Sequence, residues 1–168
     1  SAGWIEELNK DEHTPETEEY GISSFVFRSK RPFDPDKFWL YVQHKFPSNV
    51  IRSKGLFWIA SRPDQALIWG QAGGSLKADN AGVWWSSMSF EERIQYLAFV
   101  ENQGSIEKDW DPIFGDRKNE IVFIGQDLEV EKITAELESC LCSDKDLISL
   151  DLSSGFSDSW PVERTQAV

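Results

Sequence analysis

Two short apolar runs separated by a proline-bearing turn constrain this chain most. Leu56-Phe57-Trp58-Ile59-Ala60 and Ala66-Leu67-Ile68-Trp69 flank Ser61-Arg62-Pro63-Asp64-Gln65. Runs this short, bounded by Gly and Pro and rich in aromatic and β-branched residues, read as strands. Pro63 fixes φ and lacks an N–H, which places it in the connection. Both runs are apolar at odd and even positions, so neither face of this hairpin can be left to water. One face is expected to meet helices of the same domain, and the other a further cover.

The flanking sequence supplies those helices. Tyr20–Arg28 alternates as a first strand. Asp34-Pro35 opens a helix as N-cap and N1, and Pro47 closes it. Gly55 marks a bulge or break before the hairpin, and Gly73-Gly74 a sharp bend after it. Beyond that bend, Ser75–Lys77 and Gly82–Ser86 read as arms around a turn at Ala78–Ala81. Ser89-Phe90-Glu91-Glu92 is a capping box for a helix to about Val100, followed by an irregular Gln103–Asn119. Glu120–Gly125 is the last strand, and Asp127 caps a final helix with the stripe Val130, Ile133, Leu137, Cys140, Leu141. The order β-α-β-β-(β)-α-β-α predicts an α+β fold, an antiparallel or mixed sheet with helices packed on one face.

Three regions follow. Residues 1–19 hold seven acids and one lysine from Glu6 onward and read as an acidic linker, with Trp4, Ile5 and Leu8 on one face of a short helix. Residues 20–147 form the folded domain. Residues 148–168 are an acidic, Ser/Asp-rich tail with isolated Phe156 and Trp160. The tail reads as a less ordered appendage, the competing possibility being that it folds back to cover the second sheet face.

Chemistry-bearing residues are sparse. No G-x-x-x-x-G-K-[ST], G-x-G-x-x-G or G-x-S-x-G is present, and the two histidines, His13 and His44, lie far apart. Cys140 and Cys142 sit at i and i+2, roughly 200° apart on a helix, which is poor for chelation. Cys140 reads as a core thiol and Cys142 as a rim thiol. Two cysteines and no apolar run of membrane-spanning length place the chain in the cytoplasm, away from membranes. A net charge of −12 opposes nucleic acid. Against that background, seven bases and two acids between Arg28 and Lys54 stand out. Arg28, Lys30, Arg31, Arg52 and Lys54, with Trp58, Trp69 and Arg117, are the candidates for a partner-binding surface, because aromatics rimmed by Arg are the composition of interface hot spots.

Several stretches together resemble one family. Glu12-His13-Thr14-Pro15-Glu16-Thr17-Glu18-Glu19-Tyr20-Gly21-Ile22, Arg31-Pro32-Phe33, Ile51-Arg52-Ser53-Lys54-Gly55, Trp69-Gly70-Gln71-Ala72-Gly73-Gly74, Trp110-Asp111-Pro112, Gly115-Asp116-Arg117 and Glu120–Gly125 are similar to the C-terminal domain of CobW-type GTPases, nearest their zinc-associated branch. The resemblance runs from about Gly3 to Leu147. It implies a full-length protein that uses GTP, Mg and Zn through an N-terminal GTPase domain carrying the phosphate loop and a Cys-rich metal motif. Neither motif is in this sequence, so no catalytic residue, metal ligand or cofactor is assigned to this chain. The partners it implies are that GTPase domain and a metalloprotein client. Asp34 stands where the family pattern often has a His, so no metal role is carried to it. The alternative is an RNA- or other ligand-binding α+β module. Lys54-Gly55-Leu56-Phe57-Trp58-Ile59 faintly echoes an RNA-recognition signature, but Leu56 replaces a stacking aromatic.

Overall fold

Glycine and proline set the frame of the sheet, and the computed structural model describes it for residues 21–148 and 156–164. Five strands, β1 (Ile22–Ser29), β2 (Val50–Phe57), β3 (Gln65–Ala72), β4 (Ser75–Val83) and β5 (Asn119–Gln126), form one antiparallel sheet in the order β1-β5-β2-β3-β4. Gly73 adopts φ 56° in the two-residue β3–β4 turn, the conformation such hairpins need. Gly55 is not a bulge. A Cβ there would stand 2.1 Å from the Glu120 carbonyl oxygen, so the residue lets β2 approach β5 closely. The register shift lies instead between Val50 and Arg52.

Helix α1 (Pro35–His44) starts as expected: Asp34 Oδ1 accepts from the Asp36 and Lys37 N–H groups. Its buried Phe38, Tyr41 and Val42, with Ile133 and Leu137 of α4 (Val130–Ser139), join the sheet face that carries Phe25, Phe27, Phe57, Leu67, Trp69, Ile121 and Phe123. That face is the main core. Within it a polar chain ends on the backbone, with Trp69 Nε1 donating to Ser53 Oγ, Ser53 Oγ to Gln71 Oε1, and Gln71 Nε2 to the Val50 and Gly73 carbonyls. A smaller cluster of Trp58, Ala66, Trp84 and Phe114 lies apart from it.

Several expectations are corrected. Ala78–Ala81 is no turn, because β4 continues through it as an edge strand, with a one-residue register shift at Ala81 and with Lys77 and Asp79 exposed to water. The capping box opens only a four-residue helix α2 (Phe90–Arg93). A separate helix α3 (Leu97–Lys108) follows, running from the end of the expected helix into the first third of the stretch read as irregular. Only Phe99 of α3 is buried, so the segment has no apolar stripe to betray it. Asp127 does not cap α4: it has φ 51° and the cap position is Glu129. A short helix α5 (Asp144–Ile148) follows. The expected helix around Trp4–Leu8 lies outside the described residues.

The largest correction concerns the tail. Residues 156–164 form a strap docked on the helical side of the sheet. Trp160 is 4% exposed, packs on Phe38, Trp39 and Phe57, and donates its Nε1–H to the Pro35 carbonyl. Asp158 pairs with buried Arg62 (Nε–Oδ2 2.8 Å), and Arg62 also donates to the Trp160 and Val162 carbonyls. Gln65 Nε2 reaches the Glu163 carbonyl, and Ser157 Oγ donates to Asp36 at the start of α1. The strap therefore completes the core already covered by α1.

Candidate functional site

Antiparallel register decides which side chains share the face opposite α1 and α4. They are Ser24, Val26 and Arg28 of β1, Glu120, Val122 and Ile124 of β5, and Arg52, Lys54 and Leu56 of β2. Ile68 and Gly70 of β3 and Lys77 and Asp79 of β4 complete the row. Val26 lies opposite Val122, which is 1% exposed, while Arg52 and Lys54 flank this apolar centre across from Ile124 and Val122. Gly70 separates Lys54 from Lys77 and leaves a shallow gap between two cations. No aromatic occupies any of these positions, so the face has no platform for stacking bases, and the RNA-binding alternative loses its basis.

The eight residues read as one surface separate into three groups. Arg52 and Lys54 lie on this face as just described. Arg28 and Lys30 lie at the far end of β1, beside a cleft that also takes in Leu56, Trp84, Trp85 and Ile106. The remaining four are structural. Arg31 donates to the Cys142 carbonyl and the Asp144 carboxylate, at 3.1 and 2.6 Å, and ties the start of α5 to the β1–α1 loop. Arg117 donates to the Pro63 and Phe114 carbonyls and to Ser87 Oγ, and lies over the Trp58 ring. Its burial lowers the guanidinium pKa, against the opposing pull of Asp64 and Asp116. Trp58 is wholly buried, its N–H bonded to Asn119 Oδ1 and its Nε1–H to the Lys30 carbonyl. Trp69 is buried beneath α1, so neither tryptophan faces outward.

Sequence reasoning missed Trp84, Trp85 and Ile106, since a Trp pair ending an edge strand reads as core and α3 was not recognised. The Trp110–Arg117 stretch, by contrast, proves to be a staple. Asp111 Oδ1 accepts from the Ile113 and Phe114 N–H groups, which hold its carboxyl below the ordinary range. Asp116 accepts from the Trp85 and Ser86 N–H groups at 2.8 and 2.9 Å, and so caps the 3-10 turn Trp85–Ser87.

Among the described residues, no group of three or more His, Cys, Asp or Glu is placed to hold a metal, and no helix is long and apolar enough to cross a membrane. Cys142 is buried, not at a rim. Burial pushes its thiol up to about 12 and that of Cys140 upward too. Neither is a thiolate at neutral pH, the form that binds soft metals.

An antiparallel five-stranded sheet with helices and a strap packed against it defines an α+β domain. The sequence profile of the cobalamin synthesis protein cobW C-terminal domain matches residues 22–141, and the chain belongs to that family. It is 36% identical over 149 residues to the zinc-regulated GTPase metalloprotein activator 1 of Dictyostelium discoideum, covering 87% of this chain and 30% of that protein. It is 30% identical over 130 residues to a zinc chaperone of Mycobacterium tuberculosis, covering 76% of this chain and 31% of that one. The chain thus spans less than a third of the length of these relatives. Its fold is similar to part of the Zn(II)-bound YjiA GTPase from E. coli, with TM-score 0.51 and 20% identity over 77% of this chain and 33% of that one.

Proposed function

We propose that this chain is the C-terminal, non-catalytic module of a GTP-dependent zinc chaperone of the cytoplasm, packing on its own GTPase domain and helping to engage a metalloprotein client. The observation that carries this reading is the sheet face opposite α1. It carries the exposed Arg52 and Lys77 on a chain that matches less than a third of the length of its relatives. A basic sheet face suits an acidic partner surface. GTP, Mg and Zn belong in this reading to the upstream part of the protein. This sequence has no phosphate-cradling motif, and its two cysteines are buried and protonated.

The test is association with the GTPase part encoded upstream, expressed separately and titrated calorimetrically. Arg52→Glu with Lys54→Glu should weaken the complex at least tenfold while the circular dichroism of the domain is unchanged. Undiminished association would remove this face from the proposal. Titration of the isolated chain with Mg-GTP should give no heat, and micromolar binding would contradict its non-catalytic assignment.

A further inference from the structure

Helices α2 and α3 carry most of their large apolar side chains on the outside. Phe90, Ile94, Tyr96, Leu97 and Val100 follow one another along this short stretch, each between 46% and 70% exposed. Only Phe99 of α3 is buried, with the Trp85 ring centroid 5.4 Å from its own and that of Phe90 at 6.4 Å. At helical spacing, Leu97, Val100 and Gly104 share the side of α3 turned away from Phe99. Exposed apolar groups gathered in this way mark an interaction surface, whereas the scattered Leu40, Ile51 and Ile148 need no account.

Gly104 is an independent pointer to the same surface. It stands inside α3 without a positive φ, and a Cβ there would meet nothing within 4 Å. Glycine weakens an exposed helix interior relative to alanine, and no contact among the described residues requires it here. What it supplies is bare backbone, which lets a second helix approach closely. The charge around the patch is one-sided. Glu91, Glu92, Glu101 and Glu107 are all exposed. Arg93 is turned inward, donating to the Trp85 carbonyl with its guanidinium 4.6 Å from the centre of the Trp110 ring. Lys108, at the far end of α3, is the one exposed base of the two helices.

We propose that the α2–α3 surface binds an amphipathic helix of another protein, one whose apolar stripe is flanked by lysine or arginine. The stripe lies against Phe90, Ile94, Leu97 and Val100, the two backbones cross at Gly104, and the bases meet Glu91, Glu92, Glu101 and Glu107. A second copy of this chain does not suit, since it would set these carboxylates against their own equivalents. The phosphates of nucleic acid or of an anionic membrane are repelled for the same reason. In placing the occupant outside the chain's own protein, this inference rests on the reading that the GTPase part takes the basic sheet face.

The test titrates the whole chain with a peptide of about four helical turns, leucine at i, i+3, i+4 and i+7 spacing and lysine elsewhere. Binding is followed by ¹H–¹⁵N NMR and calorimetry. One control peptide replaces lysine by glutamate, and a second alternates leucine and lysine at strand period. The expected result is saturable binding with shifts confined to residues 90–108, at least tenfold weaker for either control. Leu97→Lys with Val100→Lys, both at exposed positions, should weaken it at least tenfold with unchanged circular dichroism. Gly104→Gln should raise Tm, because it fills an exposed helix interior, and still weaken binding at least tenfold. Shifts spread over other acidic surfaces, equal affinity for a control, or undiminished binding by Gly104→Gln overturns the proposal. The separately expressed GTPase part should leave the peptide in place. Displacement of the peptide would overturn this inference and assign the surface to the same protein. Undiminished GTPase association in Arg52→Glu with Lys54→Glu would instead remove the sheet-face reading and leave peptide binding as it was.

Discussion

Removing the Asp158 carboxylate should unfasten the strap. In the folded chain that carboxylate accepts from Arg62 Nε (2.8 Å) and Nη2 (3.2 Å), Ser61 Oγ (2.7 Å), the Trp160 N–H (3.0 Å) and Arg164 Nη2 (3.3 Å), with 2% of its side chain exposed. Deleting one member of a buried ion pair costs about 3–5 kcal/mol, because the other charge is stranded. The domain has one escape, which is to release the strap and hydrate Arg62. That route forfeits the burial of Trp160 against Phe38, Trp39 and Phe57, again about 3–5 kcal/mol. Asp158→Ala should therefore cost about 3–4 kcal/mol, on the order of 10 °C in Tm for a domain of this size. Burial alone would raise the Asp158 pKa, yet the bonds from Arg62, Ser61 and the Trp160 N–H outweigh it and hold it below the ordinary carboxylate value. A depressed pKa contributes stability that is fully present above the unfolded value and lost as pH falls through the folded one. The gap between the natural chain and Asp158→Asn should thus stay constant from neutral pH down to the ordinary carboxylate range and close below it. Urea melts across that range, with limited proteolysis of residues 156–164 as the readout of release, provide the assay. A cost under 1 kcal/mol for Asp158→Ala, or a strap cleaved equally fast in the natural chain, would refute the reasoning.

Two further predictions rest on buried polar groups. Asn119 is 1% exposed and bridges two segments, accepting from the Trp58 N–H and donating to the Arg31 carbonyl. Asn119→Ala strands both backbone groups and should cost about 2–4 kcal/mol in urea melts, and a loss under 1 kcal/mol would contradict that accounting. Desolvation raises the Cys140 thiol and takes Cys142 to about 12, so alkylation at pH 8 should run far slower than in the urea-unfolded chain and accelerate only at strongly alkaline pH. Equal rates in the two states would show that the thiols are accessible.

Local chemistry was legible wherever one residue dictates a conformation. Asp34-Pro35 fixed the start of α1 and Gly73-Gly74 the β3–β4 turn, while the paired apolar runs marked the β2–β3 hairpin but not its ends, since β2 stops at Phe57 and leaves Trp58-Ile59-Ala60 in the connection. Pairing partners were not legible, because period-two alternation carries no information when both faces are apolar. Trp69 therefore could not be assigned to the α1 side from sequence, and Trp58 falls just after β2 ends, where alternation no longer applies. Asp79 and Asn80 look like a turn by propensity, but an edge strand tolerates them with one side in water. Trp160 was read as isolated because its neighbours Pro35, Phe38 and Phe57 lie more than a hundred residues away. The candidate surface divided for a related reason. Arg31 and Arg117 carry the same guanidinium as Arg52, and only the fold distinguishes one bonded to carbonyls from one exposed to water.

The position of β1 in the sheet governs the order in which the domain assembles. Its sheet partner is β5, and Phe25 meets Phe123 across the ladder, so this strand waits roughly a hundred residues of synthesis for its neighbour. Such long-range closure slows folding, since the entropy of joining distant segments is lost before their contacts form. The β2–β3–β4 meander, built from adjacent hairpins, can form first and alone. Meanwhile Phe25, Val26 and Phe27 remain uncovered on an unpaired strand, an aggregation-prone interval that ends only when Glu120–Ile124 has been synthesised and inserted between β1 and β2.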